Sequence, residues 1–328
     1  MLLYILRRLL AMVGVLAVTV AFIFTLMNFV PGDPAIAILG PEKATVEAVK
    51  EIHQKLGLDD PFVVRLARYG WNLAHGDMGI SYRSREPVIK EVLSRYPTTL
   101  KVTFGSMAVG IVIGIAVGVF SAVKQYSFFD RLFTSISLFG VSAPSFWIAM
   151  LLTLAFAVKL GWLPATGSHG LRYWVLPIMT MGLQTSASIM RMTRSCMLEV
   201  IRQDYIRTAR AKGQTEMNVI FKHALRNAGL PILTVAGILI CSFLGGSVLI
   251  ETVFALPGMG KFILEAVEFQ DYPIVFGTVL WICINCVIIT FLVDMAYGFL
   301  DPRIKSTYQV IRARKKPDRS QAQGRVSP

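Results

Sequence analysis

The chain has 328 residues, of which 54% are hydrophobic and only 16% charged, with a mean hydropathy of +0.58. Soluble domains carry roughly 25% charged residues, so this composition points to a polytopic membrane protein. The net charge of +13 sits in short basic segments beside apolar runs, with no zinc-finger, RNA-recognition or helix-turn-helix pattern, which argues against nucleic acid as a partner.

Arg7 and Arg8 precede an apolar run from Leu9 to Val30 that is too long for a signal peptide and has no small-x-small cleavage site. The run is expected to be an uncleaved first span, in a segment 1–30, with the N-terminus cytoplasmic by the positive-inside rule. Pro31-Gly32-Asp33-Pro34 then breaks the helix. Residues 31–97 mix charges with scattered Leu, Tyr and Trp and read as a small ordered external cap. Five further apolar segments are expected within 98–300, making an all-α protein of six transmembrane helices. The second, Leu100–Val123, places Ser106, Gly110, Gly114 and Gly118 on one face, a spacing that lets another helix approach closely. The third, about 132–158, carries Pro144 and Ser145 near its middle, where a kink is expected and where the freed backbone is a candidate for the pathway or gate. The fourth runs from Leu176 to Met190, with helix continuing toward Leu198. The fifth, about 230–250, ends in Gly245-Gly246-Ser247, a second candidate gate. Glu251, Glu265, Glu268 and Asp271 face only Lys261, a balance suited to the outside, before a sixth span over 274–300. The basic tail 301–328 reads as cytoplasmic, disordered toward its end and near anionic lipid.

Between the fourth and fifth spans lies a polar island, Arg202 to Pro231, inside an expected cytoplasmic loop of 193–229. Ile206, Ala209 and Arg210 recur at helical spacing up to Gly213, a helix-stop residue. Beyond it, Met217, Ile220, Phe221, Ala224 and Leu225 follow the pattern of an amphipathic helix. The unit therefore reads as helix, glycine, helix, with the second helix lying against the spans.

This segment resembles the glycine-containing cytoplasmic loop of ABC-importer permeases, which reads roughly E-A-A, three residues, Gly, nine residues, I-x-L-P. Here its first three positions fall on Arg207, Thr208 and Ala209, and its last on His223, Leu225 and Arg226, so the family's Glu and Pro are absent. The run from Arg207 to Gly213 followed by His223 to Ala228 is similar to the variant in the oligopeptide, dipeptide and nickel branch. V-P-G-D-P-A, L-G-L-D-D-P, G-D-M-G-I-S, R-Y-P-T-T-L, E-T-V-F-A-L-P-G-M-G-K-F and E-A-V-E-F-Q-D-Y-P resemble that branch too, although arginine is its usual residue where Gln270 stands. The resemblance implies a type I importer permease of the bacterial inner membrane with both termini cytoplasmic, forming half of a translocation path. It implies a second permease, two ATPase subunits holding ATP and magnesium, and an external solute-binding protein as partners. Tyr205, Arg207, Thr208, Ala209, Arg210, Lys212, Gly213, His223 and Leu225 are then the ATPase-coupling residues, and the solute is a peptide, nickel, a metal chelate or glutathione. A secondary transporter or channel without ATPases is the alternative.

Other motifs carry less. Leu256 to Lys261 ends like a phosphate loop but has Ala255 and Phe262 where glycine and a hydroxyl are required, so the chain is expected to bind no cofactor and to be no ATPase. Cys283 and Cys286 share C-x-x-C spacing inside a span, with no second pair for a metal, and read as core residues. The four histidines show no H-E-x-x-H spacing, so no metal site is expected. Asp294, a carboxylate within the last span, needs hydration or a basic partner.

Overall fold

A computed structural model describes residues 2–29, 33–40 and 44–300. Val30, Pro31, Gly32 and the Asp301-Pro302-Arg303 close of the last span lie outside the described residues, as does the tail.

Helix α1 (Leu2–Phe29) is one long apolar rod. Short helices follow: α2 (Pro34–Leu39), α3 (Val46–Leu56) and α4 (Phe62–Ala74). Asp33 caps α2 by accepting from the Ala35 amide at 2.8 Å, with proline in the first turn, and Gly57 ends α3 in the left-handed conformation. His53 on α3 lies 3.0 Å from both Asp33 and Asp59, tying these helices together.

Helix α5 (Val88–Val123) spans 36 residues and begins ten residues before the expected start of the core, running through Pro97. The loss of one backbone bond at Pro97 leaves the rod intact because the rest of its ladder is continuous. Helix α6 (Phe128–Ser142) and helix α7 (Ser145–Leu152), which continues as a π turn over Thr153–Lys159, meet at 107°. The expected kink is thus a full break. Ala143 precedes proline and is extended, and Pro144 is extended as well, so two successive residues leave the helical region. The Ala143 carbonyl accepts from Gln184 Nε2 at 2.8 Å on the next helix.

That helix, α8 (Arg172–Ile201), makes its most extensive contact with α5. A Cβ added at Gly110 would lie 2.2 Å from Thr185, at Gly114 2.8 Å from Ile189 and at Gly118 2.6 Å from Thr193, while Ser106 donates to the Ile178 carbonyl at 3.2 Å. The small-residue stripe therefore lies directly against α8. Thr180, Thr185 and Ser186 on α8 satisfy their hydroxyls on carbonyls of their own helix.

Helix α9 (Asp204–Ala211) and helix α10 (Glu216–Asn218) flank Gly213, and a π turn over Val219–Ala224 joins α10 to α11 (Leu225–Gly246). The second arm of the polar island thus runs straight into the fifth span and is not a separate helix lying on the bundle. Helices α12 (Val248–Val253) and α13 (Met259–Glu268) precede α14 (Tyr272–Leu300), which packs on α1 and α11. Asp294 on α14 meets Arg8 of α1 at 2.8 Å. Cys286 faces Cys241 on α11, each thiol 3.7 Å from the other's carbonyl.

Four single helices among the described residues are long and apolar enough to cross a membrane, or five spans if the bent α6–α7 pair is one. The expected count of six is not reproduced because α8 falls short in apolarity. Its polar residues face neighbouring helices inside the bundle, where lipid does not select for hydrophobicity.

Candidate functional site

The polar island folds as an elbow. Gln203, extended, starts α9, and Gly213 at φ +75° ends it. The Gly213 amide donates to Arg210 O at 2.9 Å and the Gln214 amide to Ala209 O at 3.4 Å, the two bonds of a Schellman cap. Nothing lies within 4 Å of an added Cβ at Gly213, so its identity is set by backbone conformation and not by space.

Two kinds of contact close the elbow. Inside, Ile206 and Ala209 of the first arm pack with Val219, Ile220 and Ala224 of the second and with Met197, Val119 and Ala122 of the bundle. Full burial of Ile206 contributes about 1.5–3 kcal/mol. At the surface, Arg210 grips Glu216 with Nε at 3.1 Å and Nη2 at 2.6 Å, Asn227 donates to Tyr205 Oη at 2.9 Å, and His223 Nε2 sits 2.8 Å from Gln214 Oε1. The Glu216 carboxylate raises the Arg210 guanidinium above its ordinary pKa by accepting these bonds.

These contacts sort the nine expected residues. Ala209 is buried, and Leu225 packs at the edge of the same apolar cluster, so neither offers a surface to a partner. Arg210 and His223 are engaged within the elbow. Tyr205, Arg207, Thr208, Lys212 and Gly213 are exposed, with Arg207 3.7 Å from Asp204. Met217 at 65% and Phe221 at 50% exposure join them, although their spacing placed them on the apolar face with Ile220 and Ala224. The π turn is the reason: widening the helix over Val219–Ala224 rotates Val219 inward and Met217 and Phe221 outward. No residue in the stretch announces the shift, since adjacent apolar pairs such as Val219-Ile220 also belong to a regular i, i+3, i+4 stripe.

The other end of the bundle is built differently. Glu251 is fully buried, accepting from Thr99 Oγ1 at 2.7 Å, Ser247 Oγ at 2.8 Å and the Lys261 amide at 3.0 Å, while Thr99 Oγ1 accepts from the Met259 amide at 2.9 Å. One carboxylate thereby caps α13 and fastens it to α5 and α12. Ser247, a candidate gate residue, is buried in this latch. Gly245 is exposed, and the helix persists through Gly246 where unwinding was an option. Pro144 is exposed at the α6–α7 break and Ser145 half-buried beside it.

A bundle of long apolar helices with one bent pair and an exposed basic elbow defines a helical membrane protein. Residues 110–306 match the family of binding-protein-dependent transport system inner membrane components, and residues 1–103 match that family's N-terminal region. The chain belongs to this family and is a permease subunit of an ABC importer. It is 39% identical over 333 residues to the dipeptide transport system permease protein DppB of Alkalihalophilus pseudofirmus, covering 93% of this chain and 100% of the relative. It is 38% identical over 305 residues to the glutathione transport system permease protein GsiC of Escherichia coli K12, covering 93% and 99%. Its fold is similar to a subunit of the inward-facing MetNI methionine ABC transporter, with a TM-score of 0.57 and 23% identity over 66% of this chain and 99% of that one. Membership implies ATPase and binding-protein partners in general and a multi-pass place in the inner membrane.

Proposed function

We propose that this chain forms half of the translocation path of an importer for small peptides or a peptide-like solute such as glutathione. It pairs with a second related permease, draws on ATP and magnesium held by two ATPase subunits, and receives solute from an external receptor. The relatives that transport dipeptides and glutathione support the solute class. The N-terminus and the elbow lie in the cytoplasm and α13 outside, a reading supported by Arg7 and Arg8 and by the basic surface of the elbow.

The observation that carries the mechanism is the elbow's division of labour. Its exposed side presents Tyr205, Arg207, Lys212, Met217 and Phe221, a mixture of cationic and apolar groups suited to seating in a protein groove. Its second arm is continuous with α11, so displacement at the docked arm reaches the spans along one rod. ATP-driven closure of the ATPases would push on α9 and rock α11, opening the path to one side and then the other. The test is assembly and sidedness together. ATPase subunits should co-elute with the tagged permease, and an impermeant thiol reagent in whole cells should label His75→Cys but not Thr215→Cys. The opposite labelling pattern, or purification without ATPases, defeats the proposal.

A further inference from the structure

The segment before α5 forms a tight turn held on a buried carboxylate. Asp271, 4% exposed, accepts from Ser81 Oγ, from the Tyr82 amide at 3.1 Å and from the Arg83 amide at 3.3 Å, and an antiparallel bridge between Ile80 and Pro87 closes the turn. The turn projects Arg83 over Phe269, its guanidinium carbon 3.6 Å from the ring centroid. A cleft of about 350 Å³ opens beside it. Arg95, also in the cleft, lies 3.7 Å from the Phe262 centroid and is paired with Glu91 at 3.2 Å. Arg83 differs: among the described residues its guanidinium has no carboxylate within 4.0 Å.

A guanidinium fixed flat on an aromatic face with its donor edge free is organised for a planar anion, and a carboxylate fits it bidentately. Three carboxylates in the cleft, Glu91, Glu265 and Asp271, outnumber the two guanidiniums and repel a doubly charged phosphate more than a singly charged carboxylate, which meets Arg83 at the rim. Phe269 beneath Arg83 is 55% exposed, and Ile80 in the same turn is 57% exposed. An accessible arginine laid on an exposed aromatic ring and held by a rigid frame has the composition of a protein-binding hot spot.

We infer that the Arg83 cleft is a docking point for the external solute-binding protein, taking one Asp or Glu side chain of that receptor on Arg83 and seating an apolar side chain against Phe269. The inference rests on the importer reading and the orientation proposed above. It goes further by naming the patch and the chemistry that recognise the receptor.

The test uses the assembled transporter. A photo-reactive benzoylphenylalanine in place of Ile80, activated in living cells, should cross-link to a soluble solute-binding protein identified by mass spectrometry, within a peptide containing Asp or Glu. With that receptor, purified and loaded, the concentration giving half-maximal stimulation of ATP hydrolysis in lipid nanodiscs should rise at least about tenfold for Arg83→Glu and several-fold for Phe269→Leu, with the maximal rate retained. Arg83→Lys, which keeps the charge and loses the planar fork, should fall between them. Reversing the receptor's cross-linked carboxylate to arginine should restore the Arg83→Glu transporter. Cross-linking only to lipid or to the partner permease, no cross-link, or an unchanged half-maximal concentration overturns the inference while leaving the importer reading intact. Hydrolysis by the wild-type complex that no loaded receptor stimulates overturns both.

Discussion

The two ends of the bundle hold their non-spanning helices by opposite means. At the α13 end, buried carboxylates do the fastening: Glu251 and Asp271 are almost wholly enclosed and accept from backbone amides and hydroxyls of separate elements. At the α9 end, the polar contacts are exposed side-chain pairs, Arg210 with Glu216 and Tyr205 with Asn227, laid over a small apolar seam. A buried carboxylate cannot release its donors without leaving them unsatisfied, whereas an exposed pair exchanges its partner for water at little cost. The difference teaches where movement is affordable. On these grounds a change of shape costs more at the α13 end than at the elbow.

The largest expected effect follows from breaking the fixed end. Glu251→Leu orphans the Thr99 and Ser247 hydroxyls and the Lys261 amide, each worth about 1–3 kcal/mol when buried without a partner. The purified complex should lose its thermal transition or fail to assemble. An unchanged melting temperature would mean that the latch is not what holds α13.

The next effect separates the two faces of the elbow. Ala209→Asp places a carboxylate in the buried seam beside Ile206 and Ile220, so it should destabilise the fold of the elbow itself and raise its protease sensitivity. Arg207→Glu, on the exposed face, should leave proteolysis unchanged and lower retention of ATPase subunits during purification by roughly tenfold in affinity. If the two variants behave alike, the sorting of inward from outward residues is wrong.

The smallest effect concerns the α2–α4 region, where His53 bridges Asp33 and Asp59. Bonds to both carboxylates raise the His53 pKa above its ordinary value of 6.5. The sign follows from that direction: the bridge contributes fully below the unfolded value and is lost as pH rises through the raised folded value. Limited proteolysis of residues 44–75 should therefore quicken from neutral toward alkaline pH, and His53→Gln should flatten the dependence. A flat profile in the unsubstituted chain contradicts the bridge.

Much of this was legible in the residues. The long apolar runs mark α1, α5, α11 and α14, and glycine at 213 marks the end of α9, because hydropathy and positive φ act locally. What was not legible depends on a third party in space. Whether Ala209 faces in or out is set by Met197 and Val119 from other helices. The 107° break at Ala143-Pro144 was read as a kink because sequence shows the proline but not that its neighbour also leaves the helical region. The π turn shifts Met217 and Phe221 outward without any residue that announces it. Cys286 meets Cys241 because α11 and α14 cross there, a fact that C-x-x-C spacing cannot contain.

The central claim is that the elbow passes ATPase motion into α11, and Gly213→Val tests it most directly. Valine at φ +75° costs about 1–2 kcal/mol of backbone strain with no steric clash to confuse the outcome, since the space beyond an added Cβ is open. In reconstituted vesicles the variant complex should remain assembled, while receptor-stimulated ATP hydrolysis and solute uptake fall together, by roughly fivefold or more. An assembled variant that hydrolyses and transports at the wild-type rates would contradict the account.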